Sequence, residues 1–258
     1  MRKGIKKIRF LFLLIFAGLS IAISANVLFT PDWQTADRSS VGIAPDTAIE
    51  AEAIVQVYAA RVFSWRRLFA VHTWIATKDK DASEYNVYQV VGWRKWRGLP
   101  VVVKEQDVPD RSWFGNSPKI LSEIKGAEAV AIISSIERAI SSYPYHNTYQ
   151  IWPGPNSNTF IAHIGRSVPE LNLDLPPTAI GKDFMTRSKF VDTAPSGNGT
   201  QFSFFGLFGG LISAVEGIEI NIFSLSFGLG ITPHTTWPLK LRLPLFGIIR
   251  LGSATDTN

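Results

Sequence analysis

Histidine is the residue type in this chain best suited to proton transfer near neutral pH, and four are present: His72, His146, His163 and His234. A single histidine in a sequence is most often structural or exposed, so each one needs supporting context. His72 has that context. It opens the apolar run HTWIA, and the next run, YNVYQVVGW, carries polar side chains that could orient a ring on a neighbouring strand.

A second feature that could carry chemistry is the segment WPGPNSNTF, residues 152–160. Its two prolines and the glycine between them force a sharp turn, and the residues that follow are typical of a helix start. Asn156 is suited to cap the helix, and Ser157 would lie beside the free N–H groups of its first turn. A nucleophile there would gain from the helix dipole and from a backbone N–H that can hold an oxyanion. The simpler alternative is that Asn156 and Ser157 are only cap residues.

Metal and cofactor sites have little support in the sequence. His72, His146 and His163 could ligate zinc together with carboxylates, but the spacings HExxH and HxH are absent. No Walker loop and no GxGxxG motif is present either. The loop LPPTAIGKDF, with Lys182 and Asp183, either lines a pocket or simply packs against the domain. We therefore expect no cofactor and no bound metal.

The charge balance argues against nucleic acid as a partner. Five of the 26 basic residues lie in the first nine positions, which leaves 21 basic residues against 21 acidic ones. A duplex-binding domain needs surplus cations to replace the counterions of phosphate. The chain also has no cysteine, which excludes disulfides, thiolate metal ligands, a cysteine nucleophile and a lipidated cysteine.

Residues 1–31 predict a membrane segment. Residues 10–31, FLFLLIFAGLSIAISANVLFTP, carry no charge, and five cations precede them. An apolar run of about 20 residues spans a bilayer as a helix, and cations held inside fix its orientation. A cleaved signal peptide is the alternative, but apolarity that continues through Phe29 favours a single-pass anchor in the inner (cytoplasmic) membrane. Both interpretations place residue 32 onward in the periplasm or at the cell exterior.

The rest of the chain predicts an α+β fold. After a linker at residues 32–52, a small antiparallel sheet packed on two or three helices is expected over residues 53–190. Apolar and β-branched residues indicate four strands, near residues 53–62, 70–78, 85–93 and 100–105. Apolar residues at three- and four-residue steps predict a helix over 118–142, and a second short helix is expected at 159–168.

Residues 191–258 are rich in glycine and phenylalanine. The stretch 202–231 is apolar enough to suggest a second membrane helix, but Glu216 and Glu219 interrupt it and its apolar pieces are short. We expect strands with glycine turns instead, forming a β-rich extension packed on the core or on the membrane surface.

The strand motif VHTWIA, followed by a helix and then by NSNTF at a helix start, resembles the circularly permuted papain-like hydrolases. These include permuted NlpC-type enzymes, PPPDE peptidases and relatives of lecithin retinol acyltransferase. In them a histidine on an early strand precedes a cysteine in an Asn-Cys-x-x-Phe pattern at a helix N-terminus. The resemblance covers residues 53–168; His72 matches the histidine, and Ser157 stands where the cysteine would be.

This resemblance implies a permuted papain-like fold with Ser157 as nucleophile and His72 as general base. Asn86 or Gln89 on the following strand would orient the imidazole. Tyr149, or the backbone N–H of Ser157, would stabilise an oxyanion. Because serine replaces cysteine, the resemblance is equally compatible with a site that binds without catalysing.

Residues 32–230 resemble more closely an uncharacterised bacterial family, domain of unknown function 3750. Its members carry VQVYAAR, VHTWIA, VVGW, WPGPNSNTF and LPPTAIGKDF, and they look membrane-anchored. This resemblance implies no activity.

Two functions from different classes therefore stay open, and a purely structural membrane protein is a third. One is an amidase- or acyltransferase-like hydrolase of the envelope that acts on a peptide, a peptidoglycan stem or a lipid acyl group, which requires Ser157 and His72 within hydrogen-bonding reach. The other is a non-catalytic module that binds such a ligand or a protein partner. Candidate substrate-binding residues are Trp74, Trp93, Trp152, Asn156 and Asn158.

Overall fold

The computed structural model describes residues 32–231 and 239–251, together with five single positions between residues 17 and 24. No helix among these residues is both long and apolar enough to cross a membrane. The predicted anchor at residues 1–31 falls almost entirely outside the described residues, so it stays a prediction.

The first sheet has five antiparallel strands in the order β4–β3–β2–β1–β5. They are β1 (Ile54–Arg61), β2 (Val71–Lys78), β3 (Asn86–Val90), β4 (Val102–Gln106) and β5 (Lys119–Lys125). The central strands β1 and β2 are buried almost throughout, because both faces of the sheet are covered. The four strands predicted for this region are confirmed.

The fifth strand corrects the helix predicted over residues 118–142. Residues Lys119–Lys125 pair antiparallel with β1, and helix α1 spans only Gly126–Ser142. Gly126 has a φ of +67°, a left-handed conformation that separates strand from helix. The apolar residues at positions 120, 121 and 124 fit a helical spacing as well as an irregular strand, so periodicity alone misplaced the boundary.

Helices α1 and α2 (Ser157–Ser167) cover one face of the first sheet. Their buried residues, including Ile136 and Phe160, form one core cluster with Val57 and Ile75 of the sheet. On the other face, Tyr58 and Trp74 belong to a second cluster. Loop and linker carbonyls cover that second cluster: the Trp74 indole donates to Pro109 O at 2.8 Å, and the Tyr85 hydroxyl donates to Pro45 O at 2.9 Å.

A second sheet follows, with seven antiparallel strands in chain order. They are β6 (Val191–Asp192), β7 (Thr200–Phe204), β8 (Phe208–Ser213), β9 (Gly217–Ile222), β10 (Leu225–Ile231), β11 (Leu239–Leu243) and β12 (Gly247–Arg250). The prediction of strands with glycine turns is confirmed. The described part of the chain is thus an α+β structure with two antiparallel sheets and few helices.

Candidate functional site

His72 lies in an aromatic stack on the face of the first sheet that is turned away from the helices. Its ring centroid is 3.8 Å from that of Trp113 and 5.6 Å from that of Trp74. Its Nε2 atom lies 3.2 Å from Gln89 Oε1. Burial lowers the pKa of His72 to about 4, although the Gln89 hydrogen bond opposes that shift, so the ring is neutral near pH 7. The structure thus brings Gln89 to the imidazole, while Asn86 pairs with Thr77 at the other end of β2.

Ser157 lies on the opposite face of the same sheet. The Thr73 hydroxyl points toward α2, where it donates to Asn158 Oδ1 at 2.9 Å and to Ser157 O at 3.3 Å. Successive side chains of a strand point to opposite faces, so His72 points away from Ser157. Among the described residues no hydrogen bond joins the two side chains: His72 bonds Gln89, and Ser157 meets β2 through its backbone carbonyl.

Tyr149, the candidate for oxyanion stabilisation, lies on the helix side and packs over Gly92. A Cβ atom at Gly92 would come within 2.4 Å of the Tyr149 ring. Burial raises the pKa of the Tyr149 hydroxyl, which keeps it protonated. The hydroxyl can therefore donate a hydrogen bond. Among the described residues, however, no histidine is hydrogen-bonded to Ser157, and His163 on the helix side bonds Ser142 and Thr186 instead.

Asn156 and Asn158 hold the protein's own backbone. Asn156 Oδ1 accepts from the N–H groups of Asn158 and Thr159 at 2.9 and 3.2 Å, which caps α2 as predicted. Asn158 Nδ2 donates to Val71 O at 3.0 Å and to Ile180 O at 2.8 Å. These bonds join β2, the start of α2 and the loop that carries Ile180. Both side chains are thus engaged internally in a structural role, and their binding of a ligand stays a prediction.

The three candidate tryptophans do not line one groove. Trp74 is 4% exposed and bonded to a loop carbonyl, whereas Trp93 is 41% exposed and stacks on Trp113. Trp152 is 51% exposed, and its indole N–H donates to Phe223 O of the second sheet at 3.4 Å. Among the described residues, no group of three or more His, Cys, Asp or Glu side chains is placed to hold a metal ion.

The inner face of the second sheet, which packs on the first domain, is polar and charged. Lys182 Nζ donates to Asp183 Oδ1 at 2.9 Å and to Glu219 Oε2 of β9 at 2.6 Å. Arg242 of β11 pairs with Glu219 and with Asp174. Lys182, Asp183, Glu219 and Arg242 are each at most 2% exposed. Burial alone would lower the pKa of Lys182, but Asp183 and Glu219 raise it, so the lysine is charged.

This network decides between the two interpretations of the loop LPPTAIGKDF. Its Lys182 and Asp183 do not line a pocket; they fasten the second sheet to the first domain. Glycines on the inner face make room for the charged side chains. A Cβ atom at Gly228 would lie 2.7 Å from Glu219 Cγ, and one at Gly230 would lie 2.7 Å from Lys240 Cε. Close packing of charges therefore accounts for part of the glycine content.

The outer face of the second sheet is apolar and exposed. Along β9, Ile218, Ile220 and Ile222 are 59, 57 and 47% exposed, while Glu219 and Asn221 between them are 2 and 4% exposed. The other exposed apolar residues of this outer face are Phe202, Phe204, Phe208, Ile212, Phe227, Leu229, Ile231 and Leu239.

The area of this face is unusual for a protein surrounded by water. Each residue of the outer face exposes roughly half of a large side chain. Together these residues expose on the order of 1,000 Å² of apolar surface. The largest apolar patch of a typical monomer is about 300–600 Å². Among the described residues of β7 to β11, no charged side chain lies on the outer face.

One end of the second sheet is tipped by phenylalanines. The turns β7–β8, β9–β10 and β11–β12 lie at the same end because the strands are antiparallel neighbours in chain order. Each turn carries one exposed phenylalanine: Phe205 at 63%, Phe223 at 59% and Phe246 at 68%. The sequence analysis predicted strands here but no exposed apolar face, although TQFSF and GIEINI alternate polar and apolar residues with a period of two.

A family model described as a protein of unknown function (DUF3750) matches residues 52–184. The chain belongs to this family. The matched range contains the whole first sheet and both described α-helices, and it ends just before β6. No curated protein and no solved structure matches the chain. The distant resemblance to permuted papain-like hydrolases is not confirmed.

Proposed function

We propose that this protein is a non-catalytic membrane-surface protein whose second sheet lies with its outer face on the lipid of the cytoplasmic membrane, on the periplasmic or outer side. Among the functions that the sequence left open, this corresponds to the binding module, with lipid as the ligand. The observation that carries it is the orientation of the second sheet, which has its charged face packed inward and its apolar face exposed.

An antiparallel sheet with one apolar face usually turns that face toward the protein core, because burial of apolar surface is the main favourable term in folding. Here the inner face carries Glu219 and Arg242, which need Lys182 and Asp174 as buried partners. Buried ion pairs contribute little net stability compared with apolar packing of similar volume. The arrangement suits a sheet whose outer face meets an apolar medium rather than water.

A bilayer is the occupant that the rest of the chain favours. The uncharged run at residues 10–31 is long enough to enter a membrane. Strand β1 begins only about 20 residues later, so the folded part of the chain is held close to the same bilayer. The exposed phenylalanines at the turns add apolar side chains at one end of the face, where a docked sheet would meet the lipid.

The hydrolase alternative has lost its geometric basis, since His72 and Ser157 lie on opposite faces of the first sheet. Peptide and peptidoglycan were expected as substrates of that Ser–His pair. The hypothesis that this protein binds them therefore loses the same support. A lipid ligand keeps support of its own from the outer face.

The test uses the absence of cysteine, because each introduced cysteine is then the single labelling site. Full-length Ile220→Cys, on the outer face, and Ser134→Cys, on the solvent side of α1, are spin-labelled and reconstituted into vesicles of phosphatidylcholine. Both positions are exposed, so neither label must be forced into a core. We expect the label at 220 to be more accessible to oxygen, which dissolves in lipid, than to a water-soluble nickel chelate. The label at 134 should show the reverse.

Two results would overturn the proposal. One is a label at 220 as open to the nickel chelate as the label at 134, which would mean that the outer face stays in water. The other is strong dipolar coupling between labels at 220 on different chains, which would mean that a second copy covers the face.

A further inference from the structure

Two tryptophan- and arginine-rich connections lie at one end of the first sheet. The β1–β2 connection contains the short 3-10 helix Ser64–Leu68, and the β3–β4 connection contains Gly92–Arg97. Both join antiparallel neighbours after an odd-numbered strand, so they emerge at the same end of the sheet. Their tryptophans are exposed: Trp65 at 39%, Trp93 at 41% and Trp96 at 85%.

The same connections hold a local surplus of positive charge. They carry five cations, and residues 62–70 and 91–101 contain no acidic residue. We call these five residues the cationic rim: Arg66, Arg67, Arg94, Lys95 and Arg97. The overall charge balance of the chain hides this surplus, because the compensating acidic residues lie elsewhere.

The cationic rim adjoins the phenylalanine-tipped end of the second sheet. Lys95 Nζ donates to Tyr149 O at 3.2 Å, and Trp152, three residues further on, donates to Phe223 O at 3.4 Å. Arg61, at the end of β1, donates to Leu245 O at 2.7 Å. Two turns of the second sheet, each with a phenylalanine tip, are therefore fastened to the end of the first domain that carries the cations.

We infer that the cationic rim binds the phosphate-bearing headgroups of anionic phospholipids where the outer face enters the bilayer. This rests on the proposed function, and it adds a preference for one lipid class. Guanidinium groups bond phosphate oxygens in a bidentate way, and tryptophan favours the boundary between headgroups and acyl chains. Each cation near an anionic bilayer strengthens the contact about fivefold.

The test places a dye beside the rim through Leu99→Cys, which is 43% exposed. The full-length protein is reconstituted into vesicles of phosphatidylcholine, alone or mixed with phosphatidylglycerol, each with a nitroxide-headgroup lipid as quencher. We expect at least threefold stronger quenching with phosphatidylglycerol, and the increase should disappear in high salt because salt screens the attraction. The increase should also disappear in the triple variant Arg66→Gln, Arg67→Gln and Arg97→Gln.

The matched control removes three exposed cations elsewhere, through Lys80→Gln, Lys125→Gln and Arg138→Gln, and it should behave like the wild type. Equal loss of quenching in both triple variants would overturn the inference, because the effect would then follow net charge alone. Binding of a single-stranded oligonucleotide that competes with phosphatidylglycerol for the rim would overturn it as well. The two proposals can fail separately. If the label at 220 enters phosphatidylcholine while the quenching of the dye at 99 is the same with and without phosphatidylglycerol, the rim inference fails and the proposed function stands.

Discussion

Glu219 and Ile220 are neighbours in β9, yet they lie in opposite environments. The Glu219 carboxylate is 2% exposed and is held by Lys182 and Arg242, whereas Ile220 is 57% exposed on the outer face. A strand that buries its charge and exposes its isoleucine inverts the usual arrangement of a sheet in water.

Removal of one partner from the buried ion network should strongly destabilise the attachment of the second sheet, because a buried charge is then left unpaired. Lys182→Met leaves Asp183 and Glu219 buried without their shared cation, so we expect a loss of about 3–5 kcal/mol in the free energy of unfolding. Thermal unfolding in mild detergent, followed by near-ultraviolet circular dichroism, measures the change. Lys104→Met is the control, because the Lys104–Glu137 pair is half exposed and should contribute at most about 1 kcal/mol. Similar losses in the two variants would contradict the role of the network.

The stability of the protein should fall between pH 6.5 and pH 4 because of His72. Burial lowers its folded pKa to about 4 from 6.5, so the unfolded chain takes up a proton in this window before the folded chain does. The stabilisation is complete above pH 6.5 and is lost as the pH falls toward 4. At pH 5 the loss from His72 is about 2 kcal/mol.

His163 has a pKa lowered to about 4 by burial as well, and it adds a loss in the same direction. Denaturant unfolding of the wild type and of His72→Gln, at pH 7.5 and at pH 5, separates the two contributions. The variant should lose about 2 kcal/mol less than the wild type over this range. Equal losses in the wild type and the variant would show that His72 is not buried in its neutral form.

Asn158 should matter for stability and Ser157 should not. The Asn158 amide bonds Val71 O, Ile180 O and the Thr73 hydroxyl, so Asn158→Ala removes a buried partner from each of the three. Ile180 O keeps one donor, Asn156 Nδ2. We expect a loss of about 2–4 kcal/mol for Asn158→Ala. Ser157 meets Thr73 through its backbone carbonyl, so Ser157→Ala should stay within about 1 kcal/mol of the wild type. Thermal unfolding compares the two, and a reversed order would contradict the structural role given to Asn158.

The full-length protein should not react with a fluorophosphonate probe. Among the described residues no imidazole is hydrogen-bonded to the Ser157 hydroxyl, so this hydroxyl has no general base and is too weak a nucleophile to be phosphonylated. Labelling is measured by gel fluorescence, with heat-denatured protein as the background. Labelling of the folded wild type that disappears in both Ser157→Ala and His72→Ala would restore the hydrolase hypothesis.

The sequence predicted the first sheet well because its apolar runs are long and bounded by turns. It misplaced the start of α1, since the spacing at residues 120–124 satisfies a strand and a helix alike. It predicted a strand for His72 and a helix start for Ser157, as the structure has them. It could not predict on which face of the first sheet each residue lies. Pairing the two required knowing that α2 packs on the Thr73 side of β2, which is a tertiary fact.

The second sheet shows a different limit. Its alternation of polar and apolar residues is visible in GIEINI, but period-two alternation does not say which face is buried. That choice depends on Lys182 and Asp174, which come from loops before the sheet begins. The cationic rim was readable in principle, since GWRKWR interleaves tryptophan with cations, but the total charge concealed it.

The most direct measurement of the central claim is the depth of the outer face in a bilayer. Full-length Ile220→Cys and Ser134→Cys carry a fluorescent dye in vesicles whose lipids bear nitroxides at defined positions along the acyl chain. Docking of the outer face predicts strong quenching at 220 by nitroxides near the headgroup, weaker quenching by deeper ones, and none at 134. Quenching at 220 that cannot be distinguished from quenching at 134 would contradict it.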